Sequence, residues 1–183
     1  MAQRRGVTLQ EIVQTAAEMA DREGLAGVTL SAVAERLQIR TPSLYNHVQG
    51  MDGLHNLLAI NGLKALLAAV RRAKDGKTGQ DGLLAAAEAY TAFAREHPGL
   101  YAAAMAAPNA EDPDYLQVSR ELSEVLVEAV RECGIRGEEE LHITRGLRSL
   151  LHGFAALEAS GAFGMEIQVR DSLRYSVKRY ILP

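Results

Sequence analysis

The sequence predicts an all-α fold of about nine helices, and three observations carry that prediction. Apolar residues recur at intervals of three and four along nearly the whole 183-residue chain. No stretch alternates at the period of two that a half-buried strand requires. Glycine, proline and Asp/Asn clusters fall between the periodic stretches, where helices have to stop. Composition agrees. Hydrophobic residues make up 48% and charged residues 23%, ordinary for a globular protein, while aromatics are only 5%.

The first helix is announced by Thr8-Leu-Gln-Glu11, a capping box with Thr8 as N-cap, and runs to about Glu23 with Gly24 past its end. Residues 29–48 then read as a helix, a short turn and a second short helix. Val33, Ala34 and Leu37 share one face of the first piece, and the break falls at Gln38-Ile-Arg-Thr41. Pro42 suits the first helical position because its missing N–H has no partner there in any case, and Thr41 precedes it as a cap. Leu44 and Val48, four apart, turn inward, which leaves Ser43, Tyr45, Asn46 and His47 for the other faces. A helix-turn-helix whose second element is polar and aromatic outside has the shape of a DNA-reading unit.

Gly50-Met-Asp-Gly53 opens a long helix, about Met51 to Lys74, whose closing Arg71, Arg72 and Lys74 suit the negative end of a helix dipole. Asp75 to Gly82 reads as a flexible loop. Its Gly76-Lys77-Thr78 lacks the spacing and preceding strand of a phosphate loop. Helices follow at Leu83–Glu96, Leu100–Ala107, about Pro113–Cys133 with Asp112 as cap, Glu138–Ser160 and Glu166–Ile181. Gly134 and Gly161–Gly164 mark the breaks between the last three.

Charge permits nucleic-acid binding without demanding it. Residues 1–74 hold nine Lys/Arg and six Asp/Glu, a net of +3; residues 75–183 hold eleven and seventeen, a net of −6. A weakly basic front on an acidic body gives no strong electrostatic footprint. Arg4 and Arg5 are either a solvated terminus or a basic arm reaching a phosphate or the minor groove. The single cysteine, Cys133, cannot form an internal disulfide. No secretory signal is read before the first helix, and no uninterrupted apolar run approaches membrane length, so the expected location is cytoplasmic, with no membrane partner.

At Thr41-Pro42-Ser43-Leu44-Tyr45-Asn46-His47-Val48, preceded by an Ala34-x-x-Leu37 helix, the chain strongly resembles the TetR family of bacterial transcriptional regulators. Thr41 to Tyr45 is similar to the tetracycline repressors in particular. Leu150-Leu151-His152-Gly153-Phe154 and Gly161-Ala162-Phe163-Gly164 resemble a C-terminal class of that family named for a Trp/His-Gly motif, although the chain has no tryptophan. The resemblance implies a DNA-binding surface of Arg40, Thr41, Pro42, Ser43, Tyr45, Asn46 and His47. Independent chemistry agrees: the Asn46 amide can read adenine and the Thr41 methyl can meet thymine, while Ser43, Tyr45 and His47 can donate to phosphates. For Tyr45 and His47 the competing expectation is packing between helices. The chain departs from the family at two positions. Gln38 stands where a glycine is usual, which implies a negative φ or strain, and Met51 stands where a phosphate-binding lysine is common.

The resemblance further implies a helix-turn-helix DNA-binding domain at 1–50 and a helical regulatory and dimerisation domain at 51–183. On that reading the protein is a ligand-responsive repressor. It would bind a near-palindromic double-stranded operator as a homodimer, paired through its last two long helices. A small-molecule effector would shift the helix 51–74. Tyr90, Phe93, Tyr101, Met105 and Tyr115 are either core or the lining of that effector's pocket. Other chemistry finds little support, and neither a catalytic function nor a cofactor is expected. Glu139-x-x-His142 has metal-ligand spacing, but a di-iron bundle needs a second such pair and two more glutamates. Ser149 and His152 have no adjacent third partner for nucleophilic catalysis. Two rival readings stay open: a helical small-molecule-processing or metal-binding enzyme, and a regulator or activator that answers to no ligand.

Overall fold

The computed structural model describes residues 6–106, 109 and 111–181, and in them the chain forms eight α-helices, two 3-10 helices and no strand. The α-helices are α1 Leu9–Glu23, α2 Leu30–Arg36, α3 Gly50–Lys74, α4 Gly79–Glu96, α5 Pro98–Ala106, α6 Pro113–Glu132, α7 Glu138–Ala159 and α8 Val169–Ile181. The 3-10 helices are Leu25–Gly27 and Thr41–Asn46. The all-α expectation holds.

Helix starts follow the capping chemistry. Thr8 Oγ1 accepts the Glu11 N–H at 3.2 Å while Glu11 reaches back to the Thr8 N–H at 2.8 Å, closing the capping box of α1. Asp112 caps α6, its Oδ1 accepting from the N–H of Asp114 at 2.9 Å and of Tyr115 at 3.1 Å. Those two bonds, together with one from Asn56, hold the Asp112 carboxyl below its ordinary range.

Three boundaries differ from the sequence expectation. Helix α4 begins at Gly79 rather than Leu83, because Gly82 closes a helical turn onto the Thr78 carbonyl at 3.2 Å. A side chain at Gly82 could not have done so: its Cβ would lie 2.9 Å from the Lys77 carbonyl oxygen. Helix α5 begins at Pro98, a first-position proline rather than a stop signal. Helix α8 begins at Val169 rather than Glu166, and the preceding segment leaves Met165 and Ile167 exposed.

The chain packs as two units, residues 1–63 with 97–115, and residues 64–96 with 116–183. This grouping cuts across the functional division expected at position 50, since α5 is packed with the N-terminal helices. In the first unit Ile12, Met19, Val33, Leu44, Leu54 and Leu58 are essentially inaccessible and form the core. Helix α5 is seated there by two glycines. Gly99 lies so close to the end of α1 that a Cβ on it would be 2.6 Å from the Asp21 N, and closer still to the Ala20 carbonyl. Gly62 of α3 likewise admits the Leu100 carbonyl, which a Cβ would approach to 2.5 Å. The Asp21 carboxylate completes the seat, accepting the Leu100 N–H at 2.9 Å and lying 2.8 Å from His97 Nδ1.

In the second unit α4 packs on α7 and α8, with Leu83, Ala87, Leu147, Leu151, Leu173 and Val177 buried. Lys74, expected only to complement the helix dipole, also pairs with Glu132 of α6 at 2.8 Å, and Arg71 pairs with Glu121 at 3.0 Å. Arg131 joins α6 to Glu140 of α7 at 2.9 Å. Glu88 of α4 is held by Arg170 and Arg174 of α8, each at 2.8 Å. The Arg170 hydrogen bond is the main reason its carboxyl stays ionised below the ordinary range. Cys133 is half-buried, its thiol directed at the Ala129 carbonyl and its pKa raised by burial. That is the environment of a packing residue rather than a nucleophile.

Helix α3 is long and apolar enough to cross a membrane by composition, with a mean hydropathy of 1.3 over its best window. Leu54, Leu58, Leu63, Leu66 and Val70 are nevertheless buried within the fold, as in a core helix of a globular protein.

Candidate nucleic-acid interface

The helix-turn-helix is built from the turn outward. Thr29 caps α2, accepting the Ala32 N–H at 3.1 Å. At the other end the Gln38 N–H bonds the Glu35 carbonyl at 3.0 Å and the Ile39 N–H bonds the Ala34 carbonyl at 2.9 Å. This is a Schellman motif, which places its C′ residue in the left-handed region. That residue is Gln38, with φ +55°, the one non-glycine residue at positive φ among those described. Of the two possibilities raised by its sequence, strain is the one the fold adopts. Left-handed backbone costs an L-residue about 1–2 kcal/mol, against about 0.5–1 kcal/mol of extra chain entropy for glycine. Gln38→Gly should therefore raise stability by about 0.5–1 kcal/mol in a denaturant melt; a loss of stability would remove the strain assignment.

After the turn the expected second short helix forms with 3-10 rather than α geometry. Thr41–Asn46 is a 3-10 helix, with the Ser43 N–H bonded to the Arg40 carbonyl at 2.9 Å and the His47 N–H to Leu44 at 2.8 Å. Thr, Pro, Ser and Asn are poor helix formers, and only Leu44 and Val48 pin the segment to the core, 0% and 3% exposed. Short, weakly propagating segments of this kind tighten into 3-10 geometry. The Val48 N–H still reaches the Leu44 carbonyl at 2.9 Å, so these two keep the four-residue relation read from the sequence.

With Leu44 and Val48 inward, the opposite surface is open. Arg40, Pro42, Asn46 and His47 are exposed, Tyr45 is 61% exposed, and Thr41 and Ser43 are half-buried. The structure thus brings all seven sequence-predicted residues onto one short segment. It removes packing between helices as the account of Tyr45 and His47 within a single chain. Arg36, next to this surface, is paired with Glu23 of α1 at 2.6 Å, which neutralises one of the acids on the first helix.

The five aromatic and thioether residues are distributed otherwise. Tyr90 and Phe93 are buried on α4 in the second unit; Tyr101, Tyr115 and the half-buried Met105 belong to the first. None of them lines either of the two clefts found within the second unit. Arg4 and Arg5 lie outside the described residues, as does Ala107. His142 pairs at 3.6 Å with Glu138 rather than with Glu139, and no group of three metal-ligating side chains occurs among the described residues. Sequence reasoning missed the Asp21, His97 and Gly99 seat of α5. Its partners are more than seventy residues apart and leave no local signal.

A family model described as "Tetracyclin repressor-like, C-terminal domain" matches residues 83–180. An uncharacterised HTH-type transcriptional regulator, YobS of Bacillus subtilis, is 38% identical over 182 residues, covering 99% of this chain and 94% of the relative. The chain belongs to the TetR family of transcriptional regulators. A second relative, the uncharacterised HTH-type regulator Rv0681 of Mycobacterium tuberculosis, is 32% identical and is covered over 70% of its length. Among solved structures, a Rhodococcus protein of unknown function superposes with a TM-score of 0.85 at 20% identity, covering 99% of this chain and 97% of that one. The TetR-family regulator PfmR of Thermus thermophilus superposes with 0.69 at 16%, each chain covered over 96%. At those identities the superpositions establish the TetR fold alone.

Proposed function

We propose that the protein is a cytoplasmic, ligand-responsive transcriptional repressor that binds a near-palindromic operator as a homodimer. One observation carries the DNA reading: Arg40, Pro42, Tyr45, Asn46 and His47 stand exposed on a segment fixed from behind by Leu44 and Val48. Asn46 reads a base edge and Thr41 meets a thymine methyl, while Ser43, Tyr45, His47 and Arg40 hold phosphates. On this reading residues 1–50 are the DNA-binding domain and 51–183 the regulatory domain.

The dimer reading rests on α7 and α8. Ile143, Leu150 and Leu157 recur every seven residues on α7 and are only partly covered within one chain, Leu157 being 47% exposed. Tyr175 of α8 is 65% exposed. Such a heptad stripe is the seam of a helix bundle, here completed by the same helices of a second copy. Two copies place their reading segments roughly 34–36 Å apart, one turn of DNA. Replacing Leu157 and Tyr175 together by Glu should weaken the dimer by about 1000-fold, at about 2 kcal/mol for each buried anchor. Sedimentation equilibrium reads this directly, and an unchanged dimer would place the interface elsewhere.

The effector acts on α3, which runs from the first unit into the second. The effector must favour the released state, since equal affinity for both states shifts nothing. The reading is tested by gel shift with fragmented genomic DNA of the source bacterium. Retention of particular fragments, two chains per site and weakened by salt, is expected. Uniform retention of all fragments, or none, would overturn it.

A further inference from the structure

A cleft of about 510 Å³ opens within the second unit between α4, α7 and the start of α8, a volume typical of small-molecule sites. One wall is apolar. Ala85, Ala89 and Ala92 follow one another along α4 at intervals of four and three, and Phe154 and Leu173 complete the surface. The cleft exists because these three positions are alanine; longer side chains would fill it. Phe154 is itself held in place by Phe163, the rings stacked with centroids 5.4 Å apart.

The cleft also carries charge, with Glu88 and Arg95 standing on α4 itself beside the alanines. Lys77, Arg95 and Arg170 line it against Glu88 and Glu158, leaving one net positive charge. Arg174, outside the lining, shares Glu88 with Arg170, one carboxylate oxygen to each at 2.8 Å. A single carboxylate therefore serves two guanidiniums. Helix α8 begins at the cleft, where Gln168, Val169 and Arg170 line it, and the positive end of its dipole adds to the field. A cation would be repelled here. A purely apolar molecule would desolvate the charges without replacing their partners, and a purely polar one would leave the alanine wall wet.

We propose that this cleft binds a small organic anion with an apolar body, specifically a monocarboxylate with a medium-length aliphatic chain. The chain lies along Ala85 to Ala92, about 10 Å of helix, and the carboxylate meets Arg170 and the start of α8. Binding itself is independent of the regulator reading; its role as effector site rests on that reading.

The experiment is calorimetric titration of the full chain, without DNA, using sodium octanoate, sodium acetate and octanol. Octanoate should saturate one site per chain and bind at least tenfold more tightly than either of the others. Ala89→Phe should abolish the site by filling it. Arg170→Gln removes the surplus charge while Glu88 keeps Arg174, so octanoate should fall toward octanol. Arg170 is 68% exposed at its side chain, so this variant keeps the test decisive even if Ala89→Phe does not fold. Absence of saturable octanoate binding, equal binding of octanoate and octanol, or wild-type affinity in Arg170→Gln would overturn the proposal. DNA selection by the ligand-free protein is measured separately, so failure there removes the regulator reading and leaves the cleft result standing.

Discussion

Gly99→Val should lower the melting temperature by roughly 6–12 °C, the equivalent of about 3 kcal/mol in a chain of this size. The size of the effect follows from what the side chain would meet. Its first carbon would sit 2.6 Å from the Asp21 N and inside the Ala20 peptide group, and backbone cannot swing aside as a flexible side chain can. Helix α5 would have to leave α1, breaking the hydrogen bond from the Leu100 N–H to Asp21 and uncovering Leu100. Gly53→Ala in the same unit is the matched control. Its Cβ would lie 3.2 Å from the Gln49 Cβ and 3.8 Å from the Val48 backbone, so little change is expected. Thermal unfolding followed by circular dichroism checks both. Equal, small effects at the two glycines would mean that α5 is not seated as described.

Asn46→Ala should weaken binding to the cognate operator by about 1–3 kcal/mol, roughly 5- to 150-fold, with the loss concentrated at one base pair per half-site. Asn46 is exposed and makes no structural bond that alanine would break at the core, so stability should be nearly unchanged. The two consequences separate reading from scaffolding. Fluorescence anisotropy on operators varied one position at a time gives both affinity and base preference. A uniform loss at every operator would reassign Asn46 to phosphate contact.

The helices were legible where their ends carry local chemistry. Thr8 with Glu11 and Asp112 with Pro113 do in the fold what their spacing announces. The helix-turn-helix was legible because Leu44 and Val48 leave the polar residues only one way to face. Its 3-10 form was not, because the four-residue spacing of those anchors is compatible with either helix. Whether Gln38 took a negative φ or strain was likewise undecidable from the sequence, since the Schellman bonds that force +55° come from Glu35 and Ala34. Tertiary pairings such as Glu88 with Arg170, 82 residues apart, leave no trace in any local window. The aromatic residues illustrate the same limit: their helical spacing shows that they are inside, and says nothing about which packing unit owns them.

Whether residues 40–47 of two copies read successive turns of one DNA duplex is decided by selecting bound sequences from a random duplex pool. A near-palindromic consensus is expected, its half-sites centred about 10 base pairs apart or a multiple of that. Selection with Asn46→Ala should return the same consensus with one symmetric position relaxed. A pool that shows no enrichment, or an enriched site that the Asn46→Ala protein selects unchanged, would contradict that reading.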